Sequence, residues 1–273
     1  MDMKFAICNE TYKDWKLDDI MAHVSQCGYD AIEIAPFTLA ERVTDISADE
    51  RKEIREAAAR HQLEISAIHW VFISPTGLYL NHTDESIRRM TADYLVDLVD
   101  FGADIGAKFM IVGSPKARNV LEGVSYEQAW AWAQESFRLG VERAAERDFT
   151  ICFEPLAPSE TNFINTAEEG IRFIKEFDHP NFKIMLDVKA MCSMPKSIPE
   201  IIVESAGEFR YFHANDANLK GPGFGEVDFI PIAKALKQTG YDGYVSVEVF
   251  DYSEGPETIA TQSLAYLKKT FEV

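Results

Sequence analysis

Apolar residues recur along this chain in two alternating rhythms. Short runs rich in β-branched and aromatic residues predict strands near 4–9, 30–35, 63–70, 108–113, 149–154, 182–187, 208–213 and 244–250. Between and after them the apolar positions fall mostly three or four apart, the spacing that gives a helix one apolar face. These stretches predict helices over 16–27, 47–61, 84–106, 125–147, 166–177, 197–206, 228–239 and 257–271. In 84–106 the stripe reads Ile87, Met90, Tyr94, Leu98, Phe101 and Ile105. Asn165-Thr166 before AEEG, and Ser125 before Glu127 and Gln128, supply side chains that cap free amides at a helix start. Gly28 and Gly240 stand where a helix stops before a strand.

Strand and helix alternating eight times predict a single-domain (β/α)8 TIM barrel over residues 1–273, in the α/β class. A doubly wound open sheet is the alternative. It usually carries a glycine-rich phosphate turn after its first strand, whereas here that turn reads CNETYKDW. In a barrel, the loops after the strands form the active face. Those loops contain His69-Trp70, Pro75-Thr76-Gly77, Gly113-Ser114-Pro115, Pro155 to Glu160, and HANDANLKGPGFGEVDF from His213.

Charge narrows the partners. With 27 Lys+Arg against 45 Asp+Glu the formal net charge is −18, which repels phosphate backbones and argues against nucleic acid. No apolar stretch approaches the length of a membrane span, and MDMKFAICNE enters a strand at once without a signal-peptide pattern. The four cysteines are scattered, and Cys8 and Cys152 fall inside apolar runs, as reduced buried thiols do. A cytoplasmic protein is expected.

Four predicted strands end in a residue that can bind a metal: ICFE at Glu154, KIMLD at Asp187, RYFH at His213 and VSVE at Glu248. Each run is apolar until that position, and a buried carboxylate is costly without a cation or hydrogen bonds to compensate it. Either four unrelated strand ends are satisfied locally, or the four share a site. Three carboxylates and an imidazole suit one divalent cation, Mn²⁺ first, with Mg²⁺, Co²⁺ or Zn²⁺ also compatible. Two glutamates on different sides of a barrel mouth can also move protons. A cation holding both oxygens of a hydroxy-ketone stabilises the enediolate left when the intervening carbon loses its proton.

The ligand spacing and the words FEPL, MLD, FHAND and SVEVF resemble the xylose isomerase-like barrels of the sugar phosphate isomerase/epimerase family. The nearest characterised branch is the D-tagatose/D-psicose 3-epimerase group. The resemblance spans essentially the whole chain. It implies that Glu154, Asp187, His213 and Glu248 bind the metal, that Glu154 and Glu248 are the acid–base pair, and that the substrate is a small carbohydrate. It implies that Glu160, six residues after the first ligand, contacts that substrate, and that homo-oligomers are common. Two positions depart from the epimerases. They place a histidine three residues after the aspartate ligand, where this chain has Ala190, and an arginine six after the histidine ligand, where it has Leu219.

Further substrate contacts are expected from Arg118, Lys189 and Lys220, which can bind an acidic or phosphorylated group, and from His69 and His82 near the end of the third strand. Glu10 and Glu33 are candidate buried acids bracing the barrel mouth. Trp70, Phe72 and Phe224 wall the pocket or simply pack. His23, His61 and His179 fall away from that face and read as structural. Two other activities fit the barrel less well: a metal-dependent lyase or hydrolase of 3-keto glycosides, and an apurinic-site endonuclease, whose metal site needs more histidines.

Overall fold

The structure, a computed structural model, describes residues 3–272. Eight parallel strands close on themselves in chain order: β1 Lys4–Cys8, β2 Ala31–Ile34, β3 Glu64–Ile68, β4 Phe109–Val112, β5 Thr150–Phe153, β6 Phe182–Asp187, β7 Phe209–Ala214 and β8 Tyr244–Val247. Helices α1 Leu17–Cys27, α2 Ala48–Arg60, α3 Glu85–Ile105, α4 Tyr126–Glu146, α5 Ala167–Lys175, α6 Val188–Met191, α7 Ile198–Glu204, α8 Phe229–Gln238 and α9 Pro256–Phe271 fill the crossovers and close the chain. The fold is the (β/α)8 barrel that the alternation predicts. No helix among the described residues is long and apolar enough to cross a membrane.

Side-chain alternation splits each strand between two cores. Outward positions such as Phe153, Phe182 and Phe212 join the large apolar layer beneath the helices, while Ala67, Ile111, Cys152, Met185 and Tyr211 plug the barrel interior. Two residues further along β5, β6 and β7, the inward positions are Glu154, Asp187 and His213. The plug therefore forms the floor of whatever those residues build.

The predicted caps hold. Thr166 accepts from the Glu169 amide and Ser125 from the Gln128 amide, and Gly28 adopts a left-handed φ of 89° at the end of α1. Ser47 and Glu50 form a capping box at the start of α2 that the sequence reading did not single out. The stripe on α3 holds at Tyr94, Leu98, Phe101 and Ile105 but not at its start. Met90 is 40% exposed, and Arg88 and Thr91 are the buried residues of that turn. The reason is local: Thr91 bonds the main chain of Tyr79, and Arg88 bonds the carbonyl of His82, so the first turn packs on its own preceding loop. Strands β3 and β8 end earlier than their apolar runs suggest, although the amides of His69 and Glu248 just past them still bond Ile34 O and Ala214 O of the neighbouring strands. Helix α6 is absent from the periodicity reading, as a single turn is too short to show a period.

Candidate metal centre

Each of the four candidate ligand side chains is carried by backbone that is still anchored to the sheet. Glu154 follows β5 and donates its amide to Val112 O at 3.1 Å; Glu248 follows β8 and donates to Ala214 O at 3.3 Å. Asp187 ends β6 and is the register partner of His213 on β7, so both project inward at the same height. The outcome is one cluster in which each of Glu154, Asp187, His213 and Glu248 offers a ligand atom within 4.8 Å of the others. All four are buried, at 7%, 1%, 0% and 3% exposure. A local account of four separately satisfied strand ends does not fit that convergence.

Small residues make room for it. A Cβ at Gly113, the residue after β4, would collide with the Glu154 carboxylate, so only glycine leaves space there. The HAND sequence divides its work. His213 joins the cluster, and Asn215 donates to Asp187 Oδ2 at 2.5 Å while accepting the Lys189 amide at 2.8 Å. Asp216 accepts the Val227 amide at 2.9 Å, folding the following loop back. Asp187 also caps α6 through the Ala190 amide at 2.7 Å. Ala190 itself is fully buried and holds Asp187 through its backbone amide, a bond that does not depend on the side chain at 190.

Below His213 lies a buttress. Its Nε2 is 3.1 Å from Glu33 Oε1, and Glu33 also accepts the Tyr211 hydroxyl at 2.9 Å. Fully buried Glu33 thus braces the site as expected of it, and a carboxylate behind an imidazole is the usual support for a metal-binding histidine. Burial raises the Glu33 pKa, but the facing His213 and His69 outweigh it and hold it down at about 2. Glu10 pairs with His69 Nε2 at 3.0 Å, and His69 Nδ1 lies 3.4 Å from Glu33. His69 therefore stands in the wall beside His213, its pKa lifted by Glu10 and Glu33, against burial, to about 9.

The residues fit a divalent cation on two grounds. His213 Nδ1 and Glu248 Oε2 face each other at 3.1 Å, yet neither makes a well-directed hydrogen bond, leaving two buried polar atoms aimed at one point. The carboxylates also lack enough positive charge. Burial, then the charges of Asp187 and Glu248, push Glu154 up to about 8, and burial with Glu248 pushes Asp187 up to about 6. Glu248 stays low because His213 outweighs its burial. A cation bound by all four relieves both defects.

The other expected contacts divide. Glu160 and Lys189 pair at 2.8 Å, and the second Glu160 oxygen is buried without a partner. Lys189 Nζ lies 3.9 Å from the centre of the Phe250 ring. Arg118 is fully buried behind the site: it stacks 4.6 Å over Phe153, on the helix side of β5, and donates to the Glu154 main-chain carbonyl at 2.7 Å. It holds the Glu154 main chain from behind, and its complete burial keeps it from the open barrel mouth, where the expected substrate contact would be made. His82 serves its own loop, accepting the Asp84 amide at 3.0 Å, and Lys220 pairs with Glu254 at 2.5 Å. Neither is joined to the cluster. Leu219 is 45% exposed at a left-handed φ of 72°, its carbonyl bonded by the amides of Phe250 and Asp251. Trp70, expected either to wall the pocket or to pack, also reaches the cluster: its indole Nε1 donates to Glu248 Oε1 at 2.7 Å. Two clefts elsewhere, about 250 Å³ beside α5 and α7 and about 530 Å³ at the opposite barrel end, contain none of the four cluster residues. Chemistry rather than cavity size locates the site.

Comparison with known proteins agrees with this fold. The family profile described as xylose isomerase-like TIM barrel matches residues 21–270. D-psicose 3-epimerase of Ruminiclostridium cellulolyticum is 27% identical over 242 residues, covering 87% of this chain and 80% of its own. Among solved structures, D-psicose 3-epimerase from Clostridium cellulolyticum H10 with D-tagatose superposes with a TM-score of 0.88 at 23% identity, covering 99% and 100% of the two chains. The 3-keto-D-glucoside 4-epimerase of E. coli does so with a TM-score of 0.86 at 20% identity, covering 98% and 100%.

Proposed function

The chain belongs to the xylose isomerase-like TIM barrel family, and on that premise we propose that it is an isomerase-class enzyme, a divalent-metal-dependent sugar epimerase or aldose–ketose isomerase. The observation that carries this reading is the convergence of Glu154 and Glu248 from β5 and β8 on one point, with Asp187 and His213 between them. A bound cation, Mn²⁺ by preference, would supply Lewis-acid stabilisation of the enediolate. One glutamate removes the proton from the carbon beside the carbonyl, and its electrons pass to the carbonyl oxygen. The other glutamate returns a proton to the opposite face, which inverts the carbon. In this reading Glu160, whose second carboxylate oxygen is buried without a partner, and its partner Lys189 would hold substrate hydroxyls.

Incubation with candidate ketoses in D₂O tests the reading. Deuterium is expected at the carbon beside the carbonyl, and Glu154→Gln and Glu248→Gln are each expected to lower turnover about 10²–10⁴-fold. Wash-in that persists unchanged in both variants would remove the pair from the acid–base role. Protein purified without chelator is expected to hold about one metal ion per chain, as a single four-ligand site implies.

A second substrate class has specific support. Ala190 and Leu219 leave out the two substrate contacts of the ketohexose epimerases, and a structural neighbour is named for a 3-keto glucoside. The same proton removal on a 3-keto glycoside leads to epimerisation or to loss of the group at C1. Release of an aglycone from a 3-keto glucoside, without carbon inversion, would favour the lyase or hydrolase.

A further inference from the structure

Glu248 is held differently from its partner. Glu154 receives no side-chain hydrogen bond among the described residues, whereas Glu248 has one neighbour for each oxygen. Oε2 faces Nδ1 of His213, another cluster residue, at 3.1 Å. Oε1 accepts the Trp70 indole N–H at 2.7 Å.

Trp70 is built for that bond at a conformational cost. It sits two residues past β3 at a φ of 54°, a region that bulky side chains rarely adopt and that marks function when the surroundings enforce it. The surroundings do enforce it. The indole lies between Phe37 and Phe250, with ring centres 5.9 and 6.0 Å away and interplanar angles of 28° and 25°. Phe250 in turn carries the ammonium of Lys189, the partner of Glu160. A chain of contacts thus runs from the Glu248 carboxylate to the pair expected to hold substrate.

We propose that Trp70 is a positioning residue for Glu248. Its N–H would hold Oε1 away from a bound cation, leaving Oε2 to serve as the ligand atom and Oε1 to face the substrate carbon. When that C–H bond breaks, its electron pair enters the neighbouring carbonyl and Oε1 takes the proton. Without the indole donor, Oε1 is free to swing onto the cation as a second ligand atom and is lost as the proton acceptor. This rests on the proposed proton-transfer reading for its kinetic consequence but not for its geometric one.

Trp70→Phe keeps a ring in the stack and removes the donor. Turnover is expected to fall about 10- to 100-fold, the usual size of an outer-shell effect, with KM changed by less than about threefold. Independently of any substrate, the visible absorption of the Co²⁺-loaded variant is expected to weaken, as a further oxygen ligand raises the coordination number. Trp70→His, which retains a ring N–H, is expected to recover part of both signals, and it is the variant to use if Trp70→Phe does not fold. An unchanged cobalt spectrum in Trp70→Phe overturns the proposal, as does unchanged turnover. A rise in KM alone also overturns it, since that is the mark of a pocket wall. If the wild type exchanges no sugar proton at all, the proposed activity fails, and the cobalt spectrum still decides whether Trp70 sets the Glu248 geometry.

Discussion

At the scale of single residues, the site depends on groups that do not bind metal themselves. Glu33, held at about 2, stays ionised throughout the neutral range and fixes the imidazole of His213 through Nε2. Glu33→Gln is expected to weaken Mn²⁺ binding about 10- to 100-fold in a calorimetric titration, with Asn215→Ala similar. Gly113→Ala should act by steric conflict, since its methyl meets the Glu154 carboxylate. We expect destabilisation of about 1–3 kcal/mol in denaturant melts, and a larger loss in turnover than in stability, because the carboxylate that moves is a proposed proton carrier. The four proposed ligands are legible in the sequence because each interrupts an apolar run. Asn215 and Trp70 are not, since an asparagine in a polar loop and a tryptophan at a strand end carry no such contradiction.

At the scale of elements, strand register converts sequence position into a site. The pairing of Asp187 with His213, and of His213 with Ser246, fixes which residues share a level. Glu248 then stands two residues above Ser246, on the same inward side. Helix caps contribute stability without touching the chemistry. Ser47→Ala removes the capping box of α2, which lies away from the cluster, and should cost about 1 kcal/mol with turnover unchanged. Helix α6 behaves differently, because its cap is Asp187 itself, one of the four proposed ligands. The one-turn helix aims that carboxylate, which is why a segment too short for any periodicity matters to the site.

At the scale of the whole molecule, the barrel mouth concentrates like charge that folding alone does not compensate. The native pKa values of Glu154 and Asp187, about 8 and about 6, lie above their ordinary values of 4.5 and 3.8. In that window the native protein binds more protons than the unfolded chain, so stability falls as pH rises. His69, raised to about 9 from 6.5, adds stability that is present below its ordinary pKa and lost as pH rises through 9, so it acts in the same direction. The chelator-treated protein is therefore expected to melt at progressively lower temperature from about pH 5 to about pH 9. Added Mn²⁺ should raise the melting temperature most at the alkaline end, because its ligands must be deprotonated. A melting curve indifferent to both pH and Mn²⁺ would contradict the metal assignment.

The order of strands and helices, the closed barrel, and the four residues that cluster at its mouth all follow from the amino-acid pattern, because periodicity and a polar residue ending an apolar run are local signals. The tertiary structure decided which of the remaining polar residues belong to the site. It brought Trp70 onto Glu248 and Glu33 under His213 from strands far away in sequence, and it buried Arg118 behind β5 while drawing His82 and Lys220 into their own loops. The physical reason is that burial and hydrogen-bond partnership are properties of side chains meeting across the barrel, which no spacing along the chain encodes.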